Sequence, residues 1–209
     1  MTPKQHNNRS EAGFSIIELV IVMTILLVLM GLVATLFGRS LSIRQRESAR
    51  TDALTAAQAA LNVMSREIAN SGYDLIGNGL DLNDCGAAKL HFRANVVNSN
   101  ETLNDAGENV TYFFEPGTRS ILRYDAVLGE TSIIINRISR VDFLYFDYVG
   151  ANAVPVVPAG SATSSKDTAR VRIRLTVDME QVQNQVNPAS VVLTSDVTLR
   201  NSDYILRNY

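Results

Sequence analysis

Between Leu19 and Gly38 the chain runs for twenty residues without a charged side chain, and only Thr24 and Thr35 add a side-chain polar group. As a helix rising 1.5 Å per residue, such a run is about 30 Å long, the thickness of a bilayer's hydrocarbon. The run begins effectively at Phe14, and its one charge is Glu18. A carboxylate in hydrocarbon costs roughly 2.5–3.5 kcal/mol even on the translocon scale, so Glu18 calls for a specific partner or function.

Two plainer readings compete for this segment. A secretory signal peptide has an apolar core of about 7–15 residues ending in small residues suited to cleavage. Here the run is longer, and Ala34-Thr35-Leu36 lacks that ending. An ordinary single-pass anchor fits the length but leaves Glu18 unexplained. Basic residues also divide unevenly, with Lys4 and Arg9 before the span and Arg39, Arg44, Arg46 and Arg50 after it. Counted alone, they place the C-terminal side in the cytoplasm, although a large following domain can be translocated largely regardless of charge.

The short basic leader, Gly13, Phe14, the glutamate five positions after the glycine and the long apolar helix together resemble the class III signal of type IV pilins and pseudopilins. The resemblance implies that a prepilin peptidase cuts between Gly13 and Phe14 and N-methylates Phe14. It implies that Glu18 attracts the Phe14 amine of a neighbouring subunit during assembly. Cutting at Gly13 exposes an α-amino cation, which compensates a carboxylate best in a low-dielectric medium. Residues four apart share a helix face, so the same Glu18 can also meet its own Phe14 amine.

The helical pattern continues past the span. Leu54, Ala57, Leu61, Met64 and Ile68 recur at steps of three and four, no proline occurs between Phe14 and Tyr73, and Gly72 is placed to stop the helix. We expect one helix from Phe14 to about Ser71. Many major pilins carry a helix-bending proline about twenty residues into the mature chain; here Thr35 stands in its place, which favours a minor component.

Beyond Gly72 the pattern turns to loops and strands. Val110–Glu115 and Ser120–Tyr124 flank Pro116-Gly117, read as a type II turn. Thr131–Asn136 and Val141–Tyr148 are β-rich, and Gly150–Asp167 is a long loop. From Ala169 to Asp178, Val171, Ile173, Leu175 and Val177 alternate with Arg170, Arg172, Arg174 and Thr176, giving one buried and one wet face. Val191–Arg200 alternates similarly. The expected fold is α+β, a pilin-like lollipop: leader 1–13, membrane or filament-core helix 14–38, amphipathic helix 39–71, and an antiparallel sheet domain of four to six strands over 72–209. The order of "MSREIANSGY", "VTYFFEPGTRSILRYD", "RISRVDFLYFDY", "ARVRIRLTV" and "VTLRN" resembles the PilW-like minor pilins and the related pseudopilin J of type II secretion.

Little in the sequence suggests catalysis. His6 and His91 are the two histidines, so histidine-based metal or acid/base schemes lack parts, and no P-loop, GxSxG or CxxC is present. Asp81, Asn83 and Gly86 match positions one, three and six of an EF-hand loop, but position twelve is Phe92 where a glutamate is needed. Cys85, the lone cysteine, reads as a small buried hydrophobe. The formal net charge of −2 gives no bulk affinity for nucleic acid, and Arg170, Arg172 and Arg174 read as a strand's solvated face.

No enzyme activity, metal or cofactor is therefore expected. The resemblance implies prepilin peptidase, other minor and major pilins, an inner-membrane assembly platform and, before assembly, membrane lipid as partners. It places the chain in a bacterial inner membrane with its C-terminal domain periplasmic, and later in a pilus or pseudopilus. An uncleaved, membrane-anchored binding domain is the alternative of a different class.

Overall fold

The computed structural model describes residue 13 and residues 15–98, 102–150, 154–178 and 190–208; residues 1–12 and Phe14 lie outside this set. Helix α1 spans Ile16–Ala69 and passes Gly31, Thr35 and Gly38 without interruption. Two compact units meet between Glu47 and Ser48.

In the first unit the apolar side chains point outward on every side, with Leu27 68% and Val33 65% exposed. A helix apolar all round is suited to an apolar solvent, and α1 is long and apolar enough to cross a membrane. Its hydroxyls are satisfied internally: Thr24 Oγ1 donates to the Val20 carbonyl at 2.5 Å and Thr35 Oγ1 to that of Leu32 at 2.7 Å. No hydroxyl proton of the span then needs water.

In the second unit, Ala57, Leu61, Met64 and Ile68 are buried as their spacing predicts, joined by Ala60 and Ala69, while Leu54 is half-buried. Each fully buried Leu, Ile or Met contributes roughly 1.5–3 kcal/mol relative to an exposed one. The helix ends at Ala69, two residues earlier than expected, because its last turn tightens: the Asn70 and Ser71 amides bond to the carbonyls of Glu67 and Ile68. Helix ends leave carbonyls without intrahelical partners. The far end of the chain meets the terminal ones: Arg200 N donates to Ala69 O at 3.1 Å, and Asn201 Nδ2 to the carbonyls of Asn70 and Ser71.

Gly72 and Gly79 then pack back to back in the left-handed region, at φ 79° and 74°. A Cβ on Gly79 would lie 2.2 Å from Gly72 N and 2.4 Å from Arg93 O, so only glycine lets the helix end meet the first strand.

Among the described residues seven strands follow: β1 Lys89–Arg93, β2 Asn109–Glu115, β3 Ser120–Asp125, β4 Glu130–Ile135, β5 Ile138–Asp147, β6 Thr168–Asp178 and β7 Ser190–Thr198; a short helix α2 covers Asp203–Asn208. They form two antiparallel sheets, ordered β1-β2-β3-β4 and β5-β6-β7, in place of the single sheet of four to six strands expected. The break falls at Asn136-Arg137. Arg137 is left-handed, with φ 61°, and β5 leaves β4 to pair with β6 through residues 138–147.

The β2–β3 turn also differs from expectation. Four residues connect the strands, and Arg119 rather than Gly117 takes the left-handed conformation, at φ 53°. Its carbonyl accepts from Ile138 N at 2.9 Å and its guanidinium pairs with Asp178. Strand β1 is not among the strands expected from the sequence, although Leu90 and Phe92 alternate inward between Lys89, His91 and Arg93. Strand β6 alternates as read, and β7 pairs with it in register from Arg170↔Thr198 to Asp178↔Ser190. The fold is α+β: a long N-terminal helix followed by antiparallel sheets, with Met64, Ile68, Tyr112, Phe143, Ile173 and Leu175 in one continuous core.

Candidate functional site

The candidate site lies at the start of α1. Ser15 O accepts from Glu18 N at 3.0 Å and from Leu19 N at 3.2 Å, closing the first turn. Glu18 lies within that turn and is exposed, where the positive end of the helix dipole favours a carboxylate. Gly13 is exposed, and a Cβ built on it meets nothing within 4 Å. Nothing in the described chain therefore demands glycine at 13. A requirement for a small residue there must come from something outside the chain. Phe14, expected to carry the cut and the methyl group, lies outside the described residues, so its spacing to Glu18 rests on sequence.

The other residues singled out in the sequence have local work. Asp81 Oδ1 accepts from Asn83 N at 3.1 Å, and its other oxygen pairs with Arg93. Asp84 pairs with Lys89 at 2.5 Å and with His91 Nδ1 at 2.9 Å; Lys89 foremost holds its carboxyl below the usual range, against a burial penalty. The carboxylates of this loop thus face cations of the chain itself. Among the described residues no group of three or more His, Cys, Asp or Glu is placed to hold a metal. His91 Nε2 lies 2.6 Å from Asn109 Oδ1, so both ring nitrogens have partners. Burial pushes the Cys85 thiol up, which leaves it the inert apolar group expected.

Two of the three β6 arginines have partners within the fold. Arg172 grips Asp196 with two bonds of 2.7 and 2.9 Å, and Arg170 lies over the Phe146 ring at 4.2 Å.

A clamp between α1 and the first sheet was not legible in the sequence. Glu67 Oε2 accepts from Tyr112 Oη at 2.7 Å and from Arg123 Nε at 3.0 Å, and Arg123 also reaches Asp125 at 3.4 Å. Burial, reinforced by the Glu67 charge, pushes the Tyr112 hydroxyl far up, so it stays a donor. No local pattern singles out Glu67, because its partners lie 45 and 56 residues away.

Residues 8–34 match the family model described as the prokaryotic N-terminal methylation motif. No curated protein and no solved structure matches the chain. The matched stretch contains Gly13, Phe14, Glu18 and most of the apolar run, which makes the N terminus one of the prepilin type. Both sheets lie outside it.

Proposed function

We propose that this chain is a minor type IV pilin: a structural subunit, without catalysis of its own, that joins a priming or tip complex and starts pilus assembly. One observation carries the reading. The methylation-motif match over residues 8–34, a stretch whose sequence contains Gly13, Phe14 and Glu18, runs into an apolar helix left exposed in the first unit, and the two together support it. In that reading a prepilin peptidase cuts after Gly13, and the small residue is needed by the peptidase. The new Phe14 amine is then methylated and pairs with Glu18 of a neighbouring subunit, setting the axial stagger. Other pilins and an inner-membrane platform are the partners, and the energy for polymerisation comes from an ATPase elsewhere. Thr35 in place of a bending proline, and α1 unbroken through it, support a minor rather than a major subunit.

A pseudopilin of a type II secretion machine is the near alternative, supported by the same segment order over residues 63–201. Deletion separates the two: loss of twitching with normal secretion supports a pilus, and the reverse supports the secretion machine. The Gly13→Leu variant tests the processing step. Uncleaved precursor should accumulate in the membrane, and processing at the wild-type rate would contradict the assignment.

A further inference from the structure

We propose that Arg39, Arg44 and Arg46 form a collar that binds anionic phospholipid headgroups and fixes the depth at which the apolar half of α1 lies in a membrane. The proposal rests on the membrane-crossing helix and needs neither cleavage nor polymerisation.

All three side chains are exposed, and none enters an ion pair among the described residues. With Glu47 counted, the collar keeps a net charge of +2, three arginines against one glutamate. The three lie one, six and eight residues beyond Gly38, or about 1.5, 9 and 12 Å along the axis. A headgroup layer is roughly 5–7 Å thick on each side of the hydrocarbon. The farther two still reach it, because helical side chains lean toward the N-terminus, which here is back toward the bilayer. Long arginine stems extend that reach.

The azimuths favour lipid over a single protein partner. At 100° per residue, Arg39 and Arg46 lie about 20° apart, while Arg44 lies about 140° from Arg39. A docked protein meets one face of a helix, whereas headgroups surround it. Leu41 and Ile43, 45% and 57% exposed between the arginines, suit the boundary between acyl chains and headgroups.

The collar has a consequence at the other end of the span. The 21 steps from Glu18 to Arg39 rise about 32 Å, against a hydrocarbon thickness of about 30 Å. With Arg39 held at one set of phosphates, Glu18 reaches the opposite boundary and Gly13 lies beyond it, among headgroups or water. The collar therefore keeps Gly13 clear of the hydrocarbon.

The test uses the full chain in nanodiscs of equal parts phosphatidylcholine and phosphatidylglycerol, gently extracted, with retained lipid counted by native mass spectrometry. Phosphatidylglycerol should be enriched at least fivefold, since each arginine near the surface gives about a fivefold preference. Enrichment should vanish in R39Q/R44Q/R46Q and in high salt, and persist in R39K/R44K/R46K, which keeps the charge. Equal retention of both lipids in the wild type would overturn the proposal, as would unchanged enrichment in the glutamine variant. Loss of enrichment on adding inorganic phosphate, but not chloride of equal ionic strength, would assign the collar to free phosphate and likewise overturn it. None of these outcomes depends on whether Phe14 is methylated, so failure here and failure of the pilin reading are separable.

Discussion

Replacing Gly79 with alanine should unfold or severely destabilise the second unit, while the same change at Gly77 should be tolerated. Both glycines are left-handed, at φ 74° and 92°. That conformation costs a residue with a Cβ about 1–2 kcal/mol. At Gly77 nothing lies within 4 Å of the added carbon, so the strain is the whole cost. At Gly79 the carbon would lie 2.2 Å from Gly72 N, 2.4 Å from Arg93 O and 2.7 Å from Gly72 Cα. All three are backbone atoms, and no rotamer change relieves the overlap. Relief requires separating the helix end from β1, which breaks the bonds Gly72 N to Arg93 O at 2.9 Å and Arg93 N to Gly79 O at 2.8 Å. At about 1 kcal/mol net for each bond, added to the strain, Gly79→Ala loses at least about 3–4 kcal/mol. For a domain of this size that is a fall in Tm of roughly 6–16 °C, against about 2–8 °C for Gly77→Ala. Thermal melts of the detergent-solubilised chain, followed by near-UV circular dichroism of its tyrosines, measure both. A Gly79→Ala variant too unstable to purify beside a folded Gly77→Ala variant agrees with the reasoning. Equal losses, or a larger loss at Gly77, would refute the packing argument.

Three further outcomes follow from the geometry. Glu67→Ala should cost about 2–3 kcal/mol, because it leaves the buried Tyr112 hydroxyl without its acceptor and Arg123 with only Asp125. Tyr112→Phe should cost about 1 kcal/mol, and the double variant less than the sum, read by urea titration; strict additivity would mean the clamp is not a unit. The carboxyls of Asp84 and Asp196 are held below their usual range, chiefly by Lys89 and by Arg172. Their folded-state pKa values are depressed, so the stability they add is present above about pH 4 and is lost as pH falls through the folded values. Asp196→Asn should therefore flatten part of the acid limb of the stability curve, by less than about 1 kcal/mol for so exposed a pair, and an unchanged limb would count against the Arg172 contact. Glu18→Ala should be cleaved normally yet fail to enter filaments, and its recovery in sheared filaments at wild-type levels would remove Glu18 from assembly.

Much of the architecture was legible because local periodicity dictates it. The α1 stripe and the β6 alternation are one-dimensional patterns, and burial follows them residue by residue. Features set by distant partners were not legible. The split into two sheets depends on left-handed Arg137, whose carbonyl accepts from Asp178 N across the chain. Pro116-Gly117 promised a tight turn, but Arg119 supplies the left-handed residue and is tied to Ile138 and Asp178. Strand β1 carried an alternating signal that the adjacent turn-rich stretch concealed. At the candidate site the position differs in kind. Gly13 and Glu18 stand out in the sequence because the folded chain ties neither to a side-chain partner: one needs no glycine, and the other has no ion-pair partner among the described residues. Their meaning lies in contacts made with other molecules.

Pairing with Glu18 requires a free amine at Phe14. The most direct measurement is mass spectrometry of the N-terminal peptide of the protein purified from its native membrane. A chain beginning at N-methylated Phe14 is the expected result. A chain that keeps Gly13 and the residues before it would contradict the pilin reading and leave a membrane-anchored binding domain in its place.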